Sequence, residues 1–215
     1  MDNTKQKWAL IVAGGNPVKP ELIARLGAPS WIVAADSGLD QTYRLGLSPD
    51  LVVGDMDSVS PEALHRAQAG GVAIERHPIA KDATDLELAI DAATNAGFER
   101  ATIIGGTGGR MAHTLANAMV LLKERSIGLD WRTSRATIAA IRSGESRTFG
   151  VDDGPLLSVL AIGGPASCVS TGLRWPLDQT PLIAGSTRGI SNEIAEETAT
   201  VSVSSGQVLT IHERS

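Results

Sequence analysis

Five aspartates fall where short apolar runs end. Asp36 follows Ile32–Ala35, Asp55 and Asp57 leave Leu51–Gly54, and Asp82 and Asp85 flank Ala83 and Thr84 at the start of a helix-period segment. In an open parallel sheet the carboxyl ends of the strands and the helix N-termini after them form the binding crevice, so distant carboxylates meet there. Like charges held together repel, and each keeps its proton unless a cation sits among them. Magnesium suits such a place, because it takes oxygen ligands and bridges one or two carboxylates to substrate phosphates. Asp55, Asp57, Asp82 and Asp85 are therefore the candidate metal ligands and the candidate catalytic carboxylates. The same Asp-x-Asp pattern serves phosphohydrolases as a nucleophile, but those enzymes usually carry it on the first strand, and here it follows the third. For Asp82 or Asp85 taken singly, helix capping explains the residue equally well. Asp50, after Pro49, reads as a turn residue.

A second group lies further on. Gly105-Gly-Thr-Gly-Gly109 separates an apolar run from a helix-period segment, so backbone N–H groups of the loop can approach phosphate oxygens at a helix N-terminus. No Gly-Lys-Ser/Thr follows, so this is not a P-loop, and a plain tight turn accounts for the glycines as well. Arg110, His113 and Asn117 share one face of the helix that follows. Met111, Leu115, Ala118 and Leu122 share another, which the spacing predicts to be the buried stripe. Arg110 offers phosphate a flat fork of donors, while His113 serves a phosphate or a base, or is only a surface histidine. Lys81, beside Asp82, is another candidate phosphate partner, although a lysine in such a place is ordinarily solvated. His65 and His77 show no ligand spacing, so no zinc site is read.

These side chains need a scaffold. Strand-like runs at Trp8–Ala13, Trp31–Ala35, Leu51–Val53, Val72–Glu75 and Ala101–Ile104 alternate with helix candidates near 18–26, 38–46, 61–69, 85–96 and 111–125. Ser60-Pro61 and the capping box Thr84-Asp-Leu-Glu87 mark two helix starts. The pattern predicts an α/β fold, a three-layer nucleotide-binding domain with a parallel sheet over residues 1–128. From 129 to 215 the helix period vanishes. Alternating runs at Thr137–Ile141, Leu156–Ile162, Ala199–Val203 and Val208–Ile211 predict a β-sandwich domain.

The whole chain of 215 residues is 42% hydrophobic and 20% charged, with net charge −5, which argues against a general nucleic-acid binder but not against nucleotides. No apolar run is long enough to span a bilayer, and the N-terminal run Trp8–Val12 is too short for a signal-peptide core with its cleavage site. With Cys168 as the lone cysteine, a cytoplasmic location is expected. Aromatic residues are scarce at 3%, so each of the four tryptophans counts. Trp8 and Trp31 sit in strand-like runs and read as packing residues, Trp131 is ambiguous, and Trp175 lies in a loop context beside Gly172, Arg174 and Pro176.

Taken together, Asp36-Ser-Gly38, Pro49-Asp50, Gly54-Asp-Met-Asp-Ser58, Lys81-Asp-Ala-Thr-Asp85 and Gly108-Gly-Arg110 with His113 and Asn117 resemble the thiamine pyrophosphokinase family. So do Thr171-Gly-Leu-Arg-Trp-Pro-Leu177 and Gly189-Ile-Ser-Asn-Glu193, so the resemblance covers nearly the whole chain. It implies an ATP-binding catalytic domain followed by a thiamine-binding and dimerisation domain, a homodimer, and transfer of diphosphate from ATP to the thiamine hydroxyl. It further implies magnesium and phosphate handling by Asp36, Asp55, Asp57, Asp82 and Asp85, and ATP contacts by Ser37, Lys81, Gly108, Gly109, Arg110 and His113. Trp175 looks like the residue that stacks on thiamine, whose cationic ring an indole face attracts, and Ser191 and Asn192 look like its polar contacts. Two positions depart from the family pattern: Ala112 stands where an aspartate precedes the histidine, and Ser37 where glycine is usual. These departures leave room for another small alcohol as acceptor, or for a module that binds without chemistry.

Overall fold

The computed structural model describes residues 7–178 and 180–214, and the chain divides into two units between Thr133 and Ser134. In the first unit, strands β1 (Ala9–Ala13), β2 (Trp31–Ala35), β3 (Leu51–Gly54), β4 (Ala73–Arg76), β5 (Arg100–Ile104) and β6 (Gly128–Arg132) lie side by side in the order β6-β5-β1-β2-β3-β4. Every pairing among them is parallel. Leu10 and Ile32 are partners on one face and Ile11 and Val33 on the other, and all four are buried. A sheet covered on both faces needs continuous apolar strands, which is what the runs in the sequence supply. The helices are α1 (Pro20–Ala24), α2 (Gly38–Arg44), α3 (Pro61–Ala69), α4 (Asp85–Asn95) and α5 (Met111–Val120). Ser60 caps α3 by accepting from the Ala63 amide at 3.2 Å, and Thr84 caps α4 by accepting from the Glu87 amide at 3.2 Å.

Chain order reverses beside β1. Strands β2 to β4 build outward on one side of it, and β5 and β6 build on the other. The crevice of such a sheet opens at that reversal, past the carboxyl ends of β1 and β5. The chain leaves β1 at Gly14 and Gly15 and leaves β5 into Gly105–Gly109.

The second unit holds two antiparallel sheets. One has the order β11 (Asn192–Glu193), β9 (Leu156–Ala161), β13 (Gln207–Glu213), β7 (Ala136–Arg142); the other has the order β10 (Ser167–Thr171), β12 (Thr198–Ser205), β8 (Ser146–Gly150). Ile141, Leu157 and Val208 of the first sheet share one core with Phe149, Cys168 and Val201 of the second, which makes a sandwich. Among the described residues no helix is long and apolar enough to cross a membrane.

Three details differ from the sequence reading. The change of character near residue 128 hides β6, whose Asp130 and Arg132 break the apolar run although it pairs with β5 throughout. Trp131 is fully buried and donates its indole N–H to the Gly105 carbonyl at 2.8 Å. Helix α5 lies the other way round from its expected stripe: Met111 is 71% exposed, Leu115 is also exposed, and Asn117 is buried. The reason is local, because the Asn117 amide donates to the Gly106 carbonyl at 2.8 Å, which turns the polar face toward the glycine loop. Asp50 is the expected turn residue and accepts from the Ile32 amide at 2.8 Å.

Candidate active site

One cleft of the first unit gathers most of the expected side chains. Asp36, Ser37, Asp55, Asp57, Asp85, Gly108, Arg110 and His113 all line it. Carboxylate oxygens of Asp36, Asp55 and Asp57 come within 4.8 Å of one another, close enough to share a cation. Lys81 Nζ bridges two members of the group, 2.7 Å from Asp55 Oδ2 and 3.1 Å from Asp85 Oδ1. Asp85 therefore joins the cluster through the lysine. Asp82 is exposed and does not line the cleft, and Gly109 sits at the outer side of its loop, also exposed.

The backbone is bent to make this meeting possible. Among the described residues only three other than glycine have left-handed φ, and Asp36 (46°) and Met56 (68°) are two of them, the second lying between Asp55 and Asp57. Such conformations cost free energy and persist where the surroundings impose them, often at functional sites. Gly54 has φ 147°, and a side chain there would meet Asp85 Oδ1 at 3.0 Å and Asp36 Cβ at 3.1 Å. Any other residue at 54 would push the carboxylates apart.

The electrostatics follow from this crowding. Burial pushes the Asp36 carboxyl above the ordinary range, and the charges of Asp85, Asp55 and Asp57 add to it, while the Ser37 amide pulls the other way. Asp36 Oδ1 is buried with no hydrogen-bond partner. Asp55 is held low, first by the bond from Lys81 and then by the Asp57 amide. Partial burial pulls Lys81 down, yet its pairing with the Asp55 and Asp85 carboxylates prevails and raises it. An unpartnered buried oxygen among clustered carboxylates fits a hard divalent cation, which would satisfy it.

The floor of the cleft contains a turn that the sequence reading passed over. Gly14 and Gly15 line it, and two backbone bonds of 2.6 Å, Gly106 N to Gly14 O and Asn16 N to Thr107 O, join their turn to the Gly105–Gly109 loop. The buried Gln41 amide braces that turn, donating to Ala13 O at 2.7 Å and accepting from Val18 N at 2.8 Å. A glycine pair directly after a buried strand is the same signal that marked Gly105. Beside the floor, Arg110 donates to His113 Nε2 at 2.5 Å.

In the second unit the loop after β10 carries Trp175, 54% exposed. Its amide donates to Asn192 Oδ1 at 3.1 Å, and Asn192 Nδ2 donates back to the Trp175 carbonyl at 2.6 Å. Ser191 is the third left-handed residue, φ 54°, and its amide donates to Ser158 Oγ at 3.0 Å. The Arg174 guanidinium lies 5.2 Å from the Trp175 ring centroid and pairs with Glu193 at 2.7 Å. Trp175, Ser191 and Asn192 thus sit together, with the indole held out by its backbone.

Comparison with known proteins supports both halves. The family "Thiamin pyrophosphokinase, catalytic domain" matches residues 25–130, and "Thiamin pyrophosphokinase, vitamin B1 binding domain" matches residues 145–208. The chain is 30% identical to thiamine pyrophosphokinase 1 of Oryza sativa subsp. japonica over 195 residues, covering 86% of this chain and 73% of that one. The chain belongs to the thiamine pyrophosphokinase family. It is also 28% identical to thiamine pyrophosphokinase of Bacillus subtilis (strain 168), over 94% of this chain and 96% of that one. A crystal structure of a thiamine pyrophosphokinase from Bacillus subtilis superposes with a TM-score of 0.86 at 27% identity, covering 97% of this chain and all of that one. Within this thiamine pyrophosphokinase fold, the departure Ala112 lies on the exposed first turn of α5 beside His113. Ser37 packs against the floor, where a side chain at Gly14 would meet its Oγ.

Proposed function

We propose that this chain is a thiamine diphosphokinase that moves a diphosphate group from ATP to the thiamine hydroxyl, releasing AMP. The observation that carries the reading is the meeting of Asp36, Asp55 and Asp57 oxygens within 4.8 Å beside the joined glycine turns. In this reading the phosphates of ATP lie along the amides of Gly15 and Gly108, with Arg110 and Lys81 neutralising their oxygens. His113 faces the same phosphates or the base. Asp55 and Asp57 hold magnesium, with Asp36 and Asp85 beside them and Asp82 at the rim. Bound there, magnesium would neutralise phosphate oxygens and hold the phosphate chain in one orientation.

Thiamine rests on Trp175, with Ser191 and Asn192 as polar contacts. The attraction between its cationic ring and the indole face contributes roughly 0.5–2 kcal/mol. The hydroxyl oxygen attacks the β-phosphorus and forms the new O–P bond. The bond from that phosphorus to the oxygen it shares with the α-phosphate breaks, and AMP leaves with the electron pair. The hydroxyl proton passes to a carboxylate of the cluster. Positioning and charge neutralisation supply the rate. A homodimer, which sedimentation would detect, and a cytoplasmic home, consistent with the buried free thiol of Cys168, belong to the same proposal.

The test is AMP release from ATP, thiamine and magnesium, repeated after chelation. One AMP per thiamine diphosphate, lost on chelation, is the expected result; ADP as the nucleotide product, or turnover unaffected by chelation, contradicts it. Ala112 and Ser37 favour one second reading, a diphosphokinase for another small alcohol. AMP release with a pterin alcohol in place of thiamine would select it.

A further inference from the structure

Asp55, the strand-end carboxylate at the centre of the cluster, has both oxygens engaged. Oδ1 accepts from the Asp57 amide at 3.2 Å, and Oδ2 accepts from Lys81 at 2.7 Å. Asp85 Oδ1 is buried, with the same ammonium at 3.1 Å as an ion-pair contact outside hydrogen-bond geometry. Lys81 is therefore the cation among these carboxylates in this structure, and its side chain is only 14% exposed. The segment that carries it runs from His77 to Thr84 without helix or strand. It is anchored at one end by His77 N donating to Gly54 O at 2.9 Å, and at the other by the Thr84 cap. Between these anchors Ile79 is 74% exposed and adds little packing, so the Lys81 ion pairs tie the middle of the segment down.

A divalent ion and an ammonium cannot both hold Asp55 at contact distance without repelling each other. The divalent ion brings twice the charge to the same oxygens. Lysine, a point charge on a flexible stem, gives way easily and has three donors to offer elsewhere. We propose that Lys81 is a placeholder for the divalent cation: metal binding expels its ammonium from Asp55 and Asp85, frees segment 77–84, and hands the lysine to the anionic phosphates of the nucleotide. Resting on the reading of the cluster as a divalent-cation site, this adds an order of events, in which metal loosens the segment and metal with nucleotide fastens it again.

Limited proteolysis of the full chain at the exposed Ile79 and Ala80 tests it. Magnesium alone should speed elastase cleavage there severalfold, and a non-hydrolysable ATP analogue added with magnesium should slow it again. In Lys81→Gln the cleavage should already be fast without metal and unmoved by it, and calorimetry should show magnesium binding roughly tenfold tighter than in the wild type. If calorimetry shows magnesium bound while the wild-type segment is cut more slowly or at an unchanged rate, the placeholder role is wrong and the cation site stands. If no magnesium binds at all, the cation site falls and the placeholder with it.

Discussion

The acidic cleft of the first unit and the Trp175 loop of the second each hold one of the chain's own cations against the groups assigned to ligands. Lys81 bonds Asp55 at 2.7 Å with a side chain 14% exposed, whereas Arg174 lies 5.2 Å from the Trp175 ring with a side chain 61% exposed. Buried charges without partners are costly and exposed indole faces are not, so the two regions need different restraints. The cleft cannot leave clustered carboxylates unbalanced and recruits a firmly held lysine. The loop tolerates an open aromatic face and keeps a loosely placed guanidinium over it. Ligand binding should therefore disturb the first region more than the second.

The comparison can be broken most sharply in the cleft. Asp57→Asn should lower AMP formation by roughly a hundredfold or more, with circular dichroism unchanged because Asp57 is exposed. Near-normal turnover would detach the cluster from the chemistry. In the loop, Trp175→Ala should weaken thiamine binding roughly two- to thirtyfold by calorimetry and leave the melting temperature in place. A large loss of stability would mean that the indole serves packing instead.

Asp36→Asn sharpens the electrostatic half of the comparison. Burial and its neighbours raise the Asp36 carboxyl, so at neutral pH without metal its ionised form is held at a cost. The variant should then melt about 2–4 °C higher than the wild type and lose the stabilisation that magnesium gives. Because the folded carboxyl holds its proton better than the unfolded one, the gain is full above the raised pKa. It should shrink as pH falls and vanish below about pH 4. The smallest effect belongs to Arg174→Ala, which should change thiamine affinity by no more than about twofold, since an exposed cation over an indole contributes little. A tenfold change would make Arg174 a true ligand contact and erase the contrast with Lys81.

Much of the first unit was legible because strands buried on both faces leave unbroken apolar runs, and because Ser60 and Thr84 announce their helices. The acidic cluster was legible for the same reason, since Asp36 and Asp55 stop two such runs. What escaped was whatever the pattern encodes twice or not at all. Strand β6 carries Asp130 and Arg132 and lacks a clean run. Strands β8 and β10 carry Ser146, Thr148, Ser167 and Thr171, so their half-exposed faces read as loop. The period of α5 separates two faces, but only the bond from Asn117 to the Gly106 carbonyl decides which one turns inward. The left-handed turns at Asp36, Met56 and Ser191 have no sequence signature, because nothing but the surrounding fold makes an ordinary residue adopt them. The bridging role of Lys81 needed coordinates, since a lysine next to an aspartate in sequence is usually solvated.

Electron paramagnetic resonance with Mn2+ in place of magnesium reaches the central claim directly. The wild-type chain should remove the signal of free Mn2+ at one site, and the double substitution Asp55→Asn with Asp57→Asn should leave that signal undiminished. Equal Mn2+ binding by the two proteins would contradict the account, because the cation would then lie somewhere other than among these carboxylates.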